Sequence, residues 1–449
     1  MTEHPCVETI AAIATPPGRG GIGVVRVSGP LSPEITRRVA GTVAPPRTAI
    51  LRFFHDAERR RIDQGIVLRY QAPRSYTGED MVEFQGHGGP VVMDMLLNAT
   101  IHAGARLARP GEFTQRAFLN GKLDLSQSEA VADLIASQSE AAVRAAQRTV
   151  QGELARQVAG LANQITVLRA YVESTIDFSD QALDFIVGAE IGRRLEGIDA
   201  ELRTLLESTA NGTVLREGLR AVIAGAPNVG KSSLLNRLST HDTAIVSEIP
   251  GTTRDLLQAT FNLDGLPVEL TDTAGLHRTA DPIEREGIRR AEEAFALADL
   301  VLLIVDDRSG LDAEVDEYLG RLQPATTRIL VRNKIDLSGE AAGAATVGGQ
   351  RVLRMSALTG DGVDMLREEI KAAAAYRVVT GSVFLARRRH VEALERARTA
   401  LTTARASQLA VEVVAEELRS AQRALAEISG EKTSDDLLEQ IFSTFCIGK

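Results

Sequence analysis

Gly225-Ala226-Pro227-Asn228-Val229-Gly230-Lys231-Ser232 fits the phosphate-binding pattern G-x-x-x-x-G-K-[ST], and it follows the apolar run Ala221-Val222-Ile223-Ala224. In such a loop the glycines let backbone N–H groups turn toward phosphate oxygens. Lys231 neutralises the β- and γ-phosphates, Ser232 ligates Mg2+, and the N-terminus of the following helix adds a favourable dipole. Asn228, Val229, Gly230 and Ser233 complete the expected phosphate contacts. The loop alone leaves ATP and GTP open. About a hundred residues later Asn333-Lys334-Ile335-Asp336 decides for guanine. A carboxylate at Asp336 accepts from the guanine N1–H and exocyclic amine together, an arrangement adenine does not offer. Ser356-Ala357-Leu358 would supply the backbone contact to the guanine oxygen.

Working outward, strand and helix alternate from about residue 219 to 375. Val268-Glu269-Leu270-Thr271 precedes Asp272, Val301 to Val305 precedes Asp306, and Ile329-Leu330-Val331 lies just before Asn333. This is the rhythm of a doubly wound sheet with ligands at the strand C-termini. Gly251-Thr252-Thr253-Arg254-Asp255 and Asp272-Thr273-Ala274-Gly275 lie between the two nucleotide motifs. Many GTPases place a Gln directly after D-x-x-G to orient the attacking water, but here that position is Leu276, which cannot hold one. Asp281 and Glu284 are the nearby carboxylates, and chemistry alone favours neither. Arg254 reads either as a cis finger or as a partner of Asp255. Asn228 offers a neutral carbonyl against which a monovalent cation fits.

With 449 residues the chain exceeds one ordinary domain. A hydrophobic content of 44% with 25% charged residues reads as soluble and globular. Leu300 to Val305 is too short to cross a bilayer, and the N-terminus shows no basic segment followed by an apolar core. Cys6 and Cys446, at opposite ends, make no disulfide framework, so a reducing cytoplasm is expected. The formal charge of −9 argues against non-specific coating of nucleic acid. Arg59-Arg60-Arg61 and Arg387-Arg388-Arg389-His390 are the basic runs that would touch RNA. The scattered His and Cys match no zinc spacing.

Residues 1 to about 120 carry short β-type runs, Gly23 to Val27 and Gly65 to Tyr70 among them. Pro16-Pro17-Gly18 and Gly86-His87-Gly88-Gly89-Pro90 read as breaks, and the segment as α+β. From about Leu123 the pattern turns helical. Val150, Leu154, Val158, Leu161, Ile165, Leu168 and Val172 form one apolar stripe on a long helix. After Arg387 a second helical segment begins, with Val391, Leu394, Ala397 and Leu401 on one face. The two helical segments bracket the nucleotide domain and are expected to pack together.

Further motifs run in one order along the chain: Ala14-Thr15-Pro16-Pro17-Gly18-Arg19-Gly20-Gly21-Ile22-Gly23, Tyr76-Thr77-Gly78-Glu79-Asp80, Gln85 to Pro90, Arg109-Pro110-Gly111-Glu112-Phe113-Thr114 and Arg116 to Leu125. Arg387-Arg388-Arg389-His390 and the ending Phe445-Cys446-Ile447-Gly448-Lys449 complete the set. On these the chain resembles the MnmE family of tRNA modification GTPases along its whole length. The resemblance implies a multidomain α/β protein in four parts. These are an N-terminal α+β tetrahydrofolate-binding and dimerisation domain over 1–120, a discontinuous helical domain over 121–213 and 378–449, and an inserted Ras-like P-loop GTPase domain over 214–377.

The site residues follow by motif position. Arg26, Glu83, Lys122 and Lys449 would line a pocket for a 5-formyl or 5,10-methylene tetrahydrofolate derivative. K+ would replace an arginine finger, held by Asn228, Ser247, Ile249 and Thr252, with Glu248, Pro250 and Gly251 also at the nucleotide. Thr253 would join Ser232 on Mg2+, Asp272, Thr273, Ala274 and Gly275 would face the γ-phosphate, and Glu284 would orient the water. Cys446 would act as a nucleophile or support the modification, since a thiolate can add to C6 of uracil. The resemblance further implies a cytoplasmic homodimer whose G domains meet across the nucleotides, without a membrane. It would join a flavin-containing MnmG-family partner in a heterotetramer and act on C5 of the tRNA wobble uridine. The rival reading is a ribosome-assembly or RNA-binding regulatory GTPase.

Overall fold

The computed structural model describes residues 8–177, 184–240, 258–272, 294–309, 326–347, 350–376, 383–407, 410–430 and 435–448 of the chain. It divides into two compact units, one comprising Met1–Ile135, Thr149–Asp199 and Ala393–Lys449, the other Ala136–Arg148 and Ala200–Glu392.

The first unit opens with strands β1 (Ile10–Ile13) and β2 (Gly20–Ser28), helix α1 (Ser32–Ala40), and strands β3 (Ile50–His55), β4 (Arg61–Tyr70) and β5 (Met81–Gly88). Helix α2 (Pro90–His102), strand β6 (Arg106–Leu107) and helices α3 (Glu112–Leu119) and α4 (Leu125–Ala136) follow. The strands form one sheet in the order β3-β4-β5-β2-β1-β6, antiparallel except for the β1–β6 pair. Val25, Val27, Phe54, Val67, Val82 and Phe84 alternate onto its inner face and are fully buried, with Ile35, Val39 and Leu96 of α1 and α2 covering them.

One break expected from sequence falls elsewhere. Gly86-His87-Gly88 continues β5, and the chain turns only at Gly89 and Pro90. The glycines serve close approach instead: a Cβ at Gly86 would lie 2.6 Å from Asp63 Oδ2, and one at Gly88 would lie 2.7 Å from the Gly20 carbonyl.

The expected long helical stripe is also divided. Val150 ends α5 (Glu140–Val150), Gly152 turns the chain at φ +76°, and α6 (Glu153–Asp177) begins afresh. The stripe from Leu154 to Val172 lies on α6 and is buried at every expected position. Helix α7 (Asp184–Glu217) leads to the second sheet.

That sheet contains β7 (Leu219–Ala224), β8 (Gln258–Leu263), β9 (Leu266–Asp272), β10 (Leu300–Asp306), β11 (Thr327–Asn333), β12 (Gly343–Val347) and β13 (Gln350–Arg354), ordered β12-β13-β11-β10-β7-β9-β8. Its five inner strands run parallel and both edge pairs are antiparallel. β10, Leu-Val-Leu-Leu-Ile-Val-Asp, is buried on both faces up to Val305, as a central parallel strand must be. Helices α8 (Lys231–Thr240), α9 (Ile335–Ser338) and α10 (Val363–Ala373) connect or follow these strands. The architecture is therefore multidomain α/β.

The chain closes with α11 (Arg388–Ala406), α12 (Val411–Ser429) and α13 (Asp435–Ser443). Within the first unit α12 packs along α6, burying Val414, Leu418, Ala421, Leu425 and Ile428. The expected pairing of the two helical segments is thus present. Leu438, Ile441, Phe442 and Phe445 close on Leu125 and Phe118, with the Phe442 and Phe445 rings edge to face at 5.3 Å. Among the described residues no helix is long and apolar enough to cross a membrane.

Candidate functional site

The phosphate loop joins β7 to α8, and its shape depends on glycine at both ends. Gly225 stands at φ +146° and Gly230 at φ +99°. A Cβ at Gly225 would meet the Ile304 carbonyl at 2.1 Å, and one at Gly230 would meet Asn333 Nδ2 at 2.3 Å. Asn228 takes φ +63°, a left-handed conformation Asn tolerates, and lies exposed. Lys231 Nζ donates to the carbonyls of Gly225 and Ala226 at 2.7 and 2.9 Å, which holds the ammonium over the loop. Ser232 and Ser233 are exposed at the start of α8, where the helix dipole favours an anion, and Val229 is buried below. The donor set fits a nucleoside triphosphate with Mg2+, with Ser232 as a hydroxyl ligand.

The guanine motif follows the C-terminal end of β11. Asn333 is buried, donating from Nδ2 to the Val229 carbonyl at 2.8 Å and accepting the Ala357 N–H at 2.9 Å. Lys334 adopts φ +69° and reaches the Asn228 carbonyl at 2.6 Å and Asp306 Oδ2 at 3.0 Å. The hydrogen bond from Arg308, helped by Lys334, holds the Asp306 carboxyl well below the usual range. Asp336 is exposed, with Oδ1 accepting from Ser356 Oγ at 2.5 Å. Its carboxylate is therefore aimed by the same loop that carries Ala357. Asp272 ends β9, buried, with Ile223 opposite it in the register. Ser247, Glu248, Ile249, Pro250, Gly251, Thr252, Thr253, Thr273, Ala274, Gly275 and Glu284 lie outside the described residues, as do Arg254, Leu276 and Asp281.

In the first unit, β2 and β5 pair Arg26 opposite Glu83. Arg26 Nε and Nη2 both donate to Glu83 Oε1, at 3.0 and 2.9 Å. Read alone, Glu83 in a strand-like run suggests a surface residue; its side chain is 12% exposed and paired. The pair lies in a cavity of about 570 Å³ that also takes in Lys122 and three residues the sequence reading missed, Arg47, Arg74 and Tyr70. Four cations against one carboxylate suit an anionic ligand. Arg74 stands two residues before the Tyr76 motif, and that neighbourhood was the only local signal. Tyr76 also lines the cavity, its hydroxyl paired with Thr114 Oγ1 at 2.9 Å, and burial pushes its phenol up. Tyr70 is likewise raised by burial and by the charge of Glu83. Both phenols stay neutral, and Ser75, Met81, Val131 and Ile135 complete the wall. The set fits a folate: cations for its carboxylates and an acid for pterin donors.

The chain end reaches the same place. The Gly448 carbonyl lies 3.4 Å from Arg26 Nη1, and a Cβ on Gly448 would meet the Ile13 carbonyl at 2.3 Å. The Cys446 carbonyl accepts from the Gly111 N–H at 3.4 Å, and its thiol is free and exposed. Lys449 lies outside the described residues. Of the basic runs, Arg60 is folded back on Asp56 and Glu58, Arg61 lies over the Phe53 ring at 4.0 Å, and His390 is buried. Arg59 and Arg388 are exposed, Arg388 lying 3.4 Å from Glu392. Among the described residues no group of three or more His, Cys, Asp or Glu could hold a metal ion.

A family model described as the MnmE helical domain matches residues 125–446, and one described as the GTP-binding protein TrmE N-terminus matches residues 9–122. The tRNA modification GTPase MnmE of Nitrosococcus oceani is 52% identical over 445 residues, covering 98% of this chain and 97% of that protein. That of Methylococcus capsulatus is 51% identical over 445 residues, covering 98% and 99%. Among solved structures, the G domain of the T. maritima FeoB iron transporter is 27% identical and covers 35% of this chain and 98% of its own, with a TM-score of 0.27.

Proposed function

The chain belongs to the MnmE family of tRNA modification GTPases, and from that premise we propose that it is the GTP-hydrolysing subunit of a complex that modifies C5 of the tRNA wobble uridine. The complex adds an aminomethyl or carboxymethylaminomethyl group from a tetrahydrofolate one-carbon unit, working with a flavin-containing MnmG-family partner. The observation that carries this reading is the meeting of a cationic cavity and the Cys446 chain end at Arg26, inside one compact unit. A folate held by Arg26, Glu83 and Lys122 would present its one-carbon unit beside the terminal segment. A Cys446 thiolate adding to C6 of uracil would make C5 nucleophilic toward that unit.

GTP and Mg2+ occupy the phosphate loop in this reading, with Lys231 on the β- and γ-phosphates and Asp336 on guanine. Thr253 completes the Mg2+ ligands, and Glu284 orients the attacking water. K+ held by Asn228, Ser247, Ile249 and Thr252 supplies the charge that other GTPases take from an arginine. Two copies form a dimer through their N-terminal domains, a reading the exposed Leu51, Phe53 and Ile66 on β3 and β4 support. The complex is cytoplasmic, and the domains divide near 120, 213 and 377. The deciding experiment is mass spectrometry of wobble uridines from a strain lacking this gene. Loss of the C5 substituent is expected, restored by the wild-type chain and not by Lys231→Ala. Unchanged nucleosides would favour the ribosome-assembly alternative.

A further inference from the structure

Arg237 stands on α8, less than two turns after Lys231. Its guanidinium leaves the helix for the guanine-side loop, donating from Nε to the Ala357 carbonyl at 3.2 Å and from Nη2 to the Leu358 carbonyl. That loop is a self-closed turn. Ser356 N–H donates to the Asp361 carbonyl at 2.9 Å, Gly360 N–H to the Ser356 carbonyl at 2.9 Å, and Thr359 N–H to Ser356 Oγ at 3.1 Å. A turn closed on itself can move as a body, so its position relative to the base depends on what grips it from outside. Asn333 Oδ1 grips it at the Ala357 N–H, and Arg237 grips the carbonyls of that residue and the next. Gly360, at φ +98°, lies against the guanidinium, where a Cβ would be 3.6 Å from Cζ. The planar fork of the guanidinium meets the two successive carbonyls with separate N–H groups held in a fixed geometry.

We propose that Arg237 is a positioning residue for guanine selectivity. It holds Ser356, Ala357 and Leu358 where the loop backbone meets the base and where Ser356 Oγ aims the Asp336 carboxylate. The proposal rests on reading Asn333 to Asp336 as the guanine contact. A purely structural role is the alternative, since a cation in the last turn of α8 also favours the helix dipole.

The test is displacement of fluorescent GDP from the full chain, with Mg2+, by GDP and by ADP. Both nucleotides use the phosphate loop, but only GDP uses the loop Arg237 holds. Arg237→Met is expected to weaken GDP about tenfold and to change ADP less than about twofold, with Arg237→Lys between. Unchanged GDP affinity would overturn the proposal. So would equal loss of GDP and ADP in Arg237→Lys, the signature of a structural role. A wild-type chain without preference for GDP over ADP removes the guanine reading itself.

Discussion

Asn333 shows how much one side chain can fix. Its amide nitrogen holds the phosphate loop at Val229, 104 residues before it, and its oxygen holds the guanine-side loop at Ala357, 24 residues after it. Such a residue is legible as a motif letter, but its use as a strut is not, because both partners are backbone atoms supplied by tertiary folding. Glu112 makes a similar point in the first unit. It is 3% exposed, and burial alone would raise its pKa. Hydrogen bonds from Arg106, the Arg109 N–H and Arg116 outweigh that and hold it at about 2, against an ordinary 4.5. A carboxyl depressed in the folded state stabilises above its unfolded pKa and loses that contribution as pH falls from 4.5 through 2. The shift corresponds to about 3 kcal/mol at neutral pH, more than half of it gone by pH 3. The gap in urea stability between wild type and Glu112→Gln is therefore expected to narrow over that window. A constant gap from pH 7 to 3 would contradict the assignment.

At the level of elements, periodicity located the helices and β-runs well, and missed at points where glycine has more than one use. Gly152 ends a helix at positive φ in the middle of an unbroken apolar stripe, and the 3–4 spacing gives no warning because it resumes in phase. Gly86 and Gly88 read as breakers, yet they sit inside a strand because Asp63 and the Gly20 carbonyl approach too closely for a side chain. Helix α13 depends on aromatic packing: Phe442 is 2% exposed between Phe118 and Phe445. Phe442→Ala is expected to cost about 3–5 kcal/mol locally. Amide exchange over 435–448 should rise sharply, while exchange in the second sheet stays as it was. Exchange rising equally in both would mean that the helix is not an independent clasp.

For the whole molecule, the proposed cation mechanism predicts a GTPase rate at least about tenfold higher in K+ than in Na+ at matched ionic strength, a difference of about 1.4 kcal/mol in barrier. Equal rates would remove K+ from the mechanism. The sequence by itself determined the nucleotide and the strand–helix order of its domain. Phosphate and guanine are bound by short contiguous stretches whose chemistry is local, and a parallel strand buried on both faces announces itself as an apolar run. The resemblance grouped Arg26, Glu83 and Lys122, but only the tertiary structure added Arg47, Arg74 and Tyr70 and decided how the distant residues meet. Arg26 meets Glu83 through strand register, Arg47, Arg74 and Lys122 arrive from separate loops, and Gly448 comes from the far end of the chain. No local spacing encodes those meetings; they follow from the pairing of β2 with β5 and from the seat that Leu125 and Phe118 offer to the last helix.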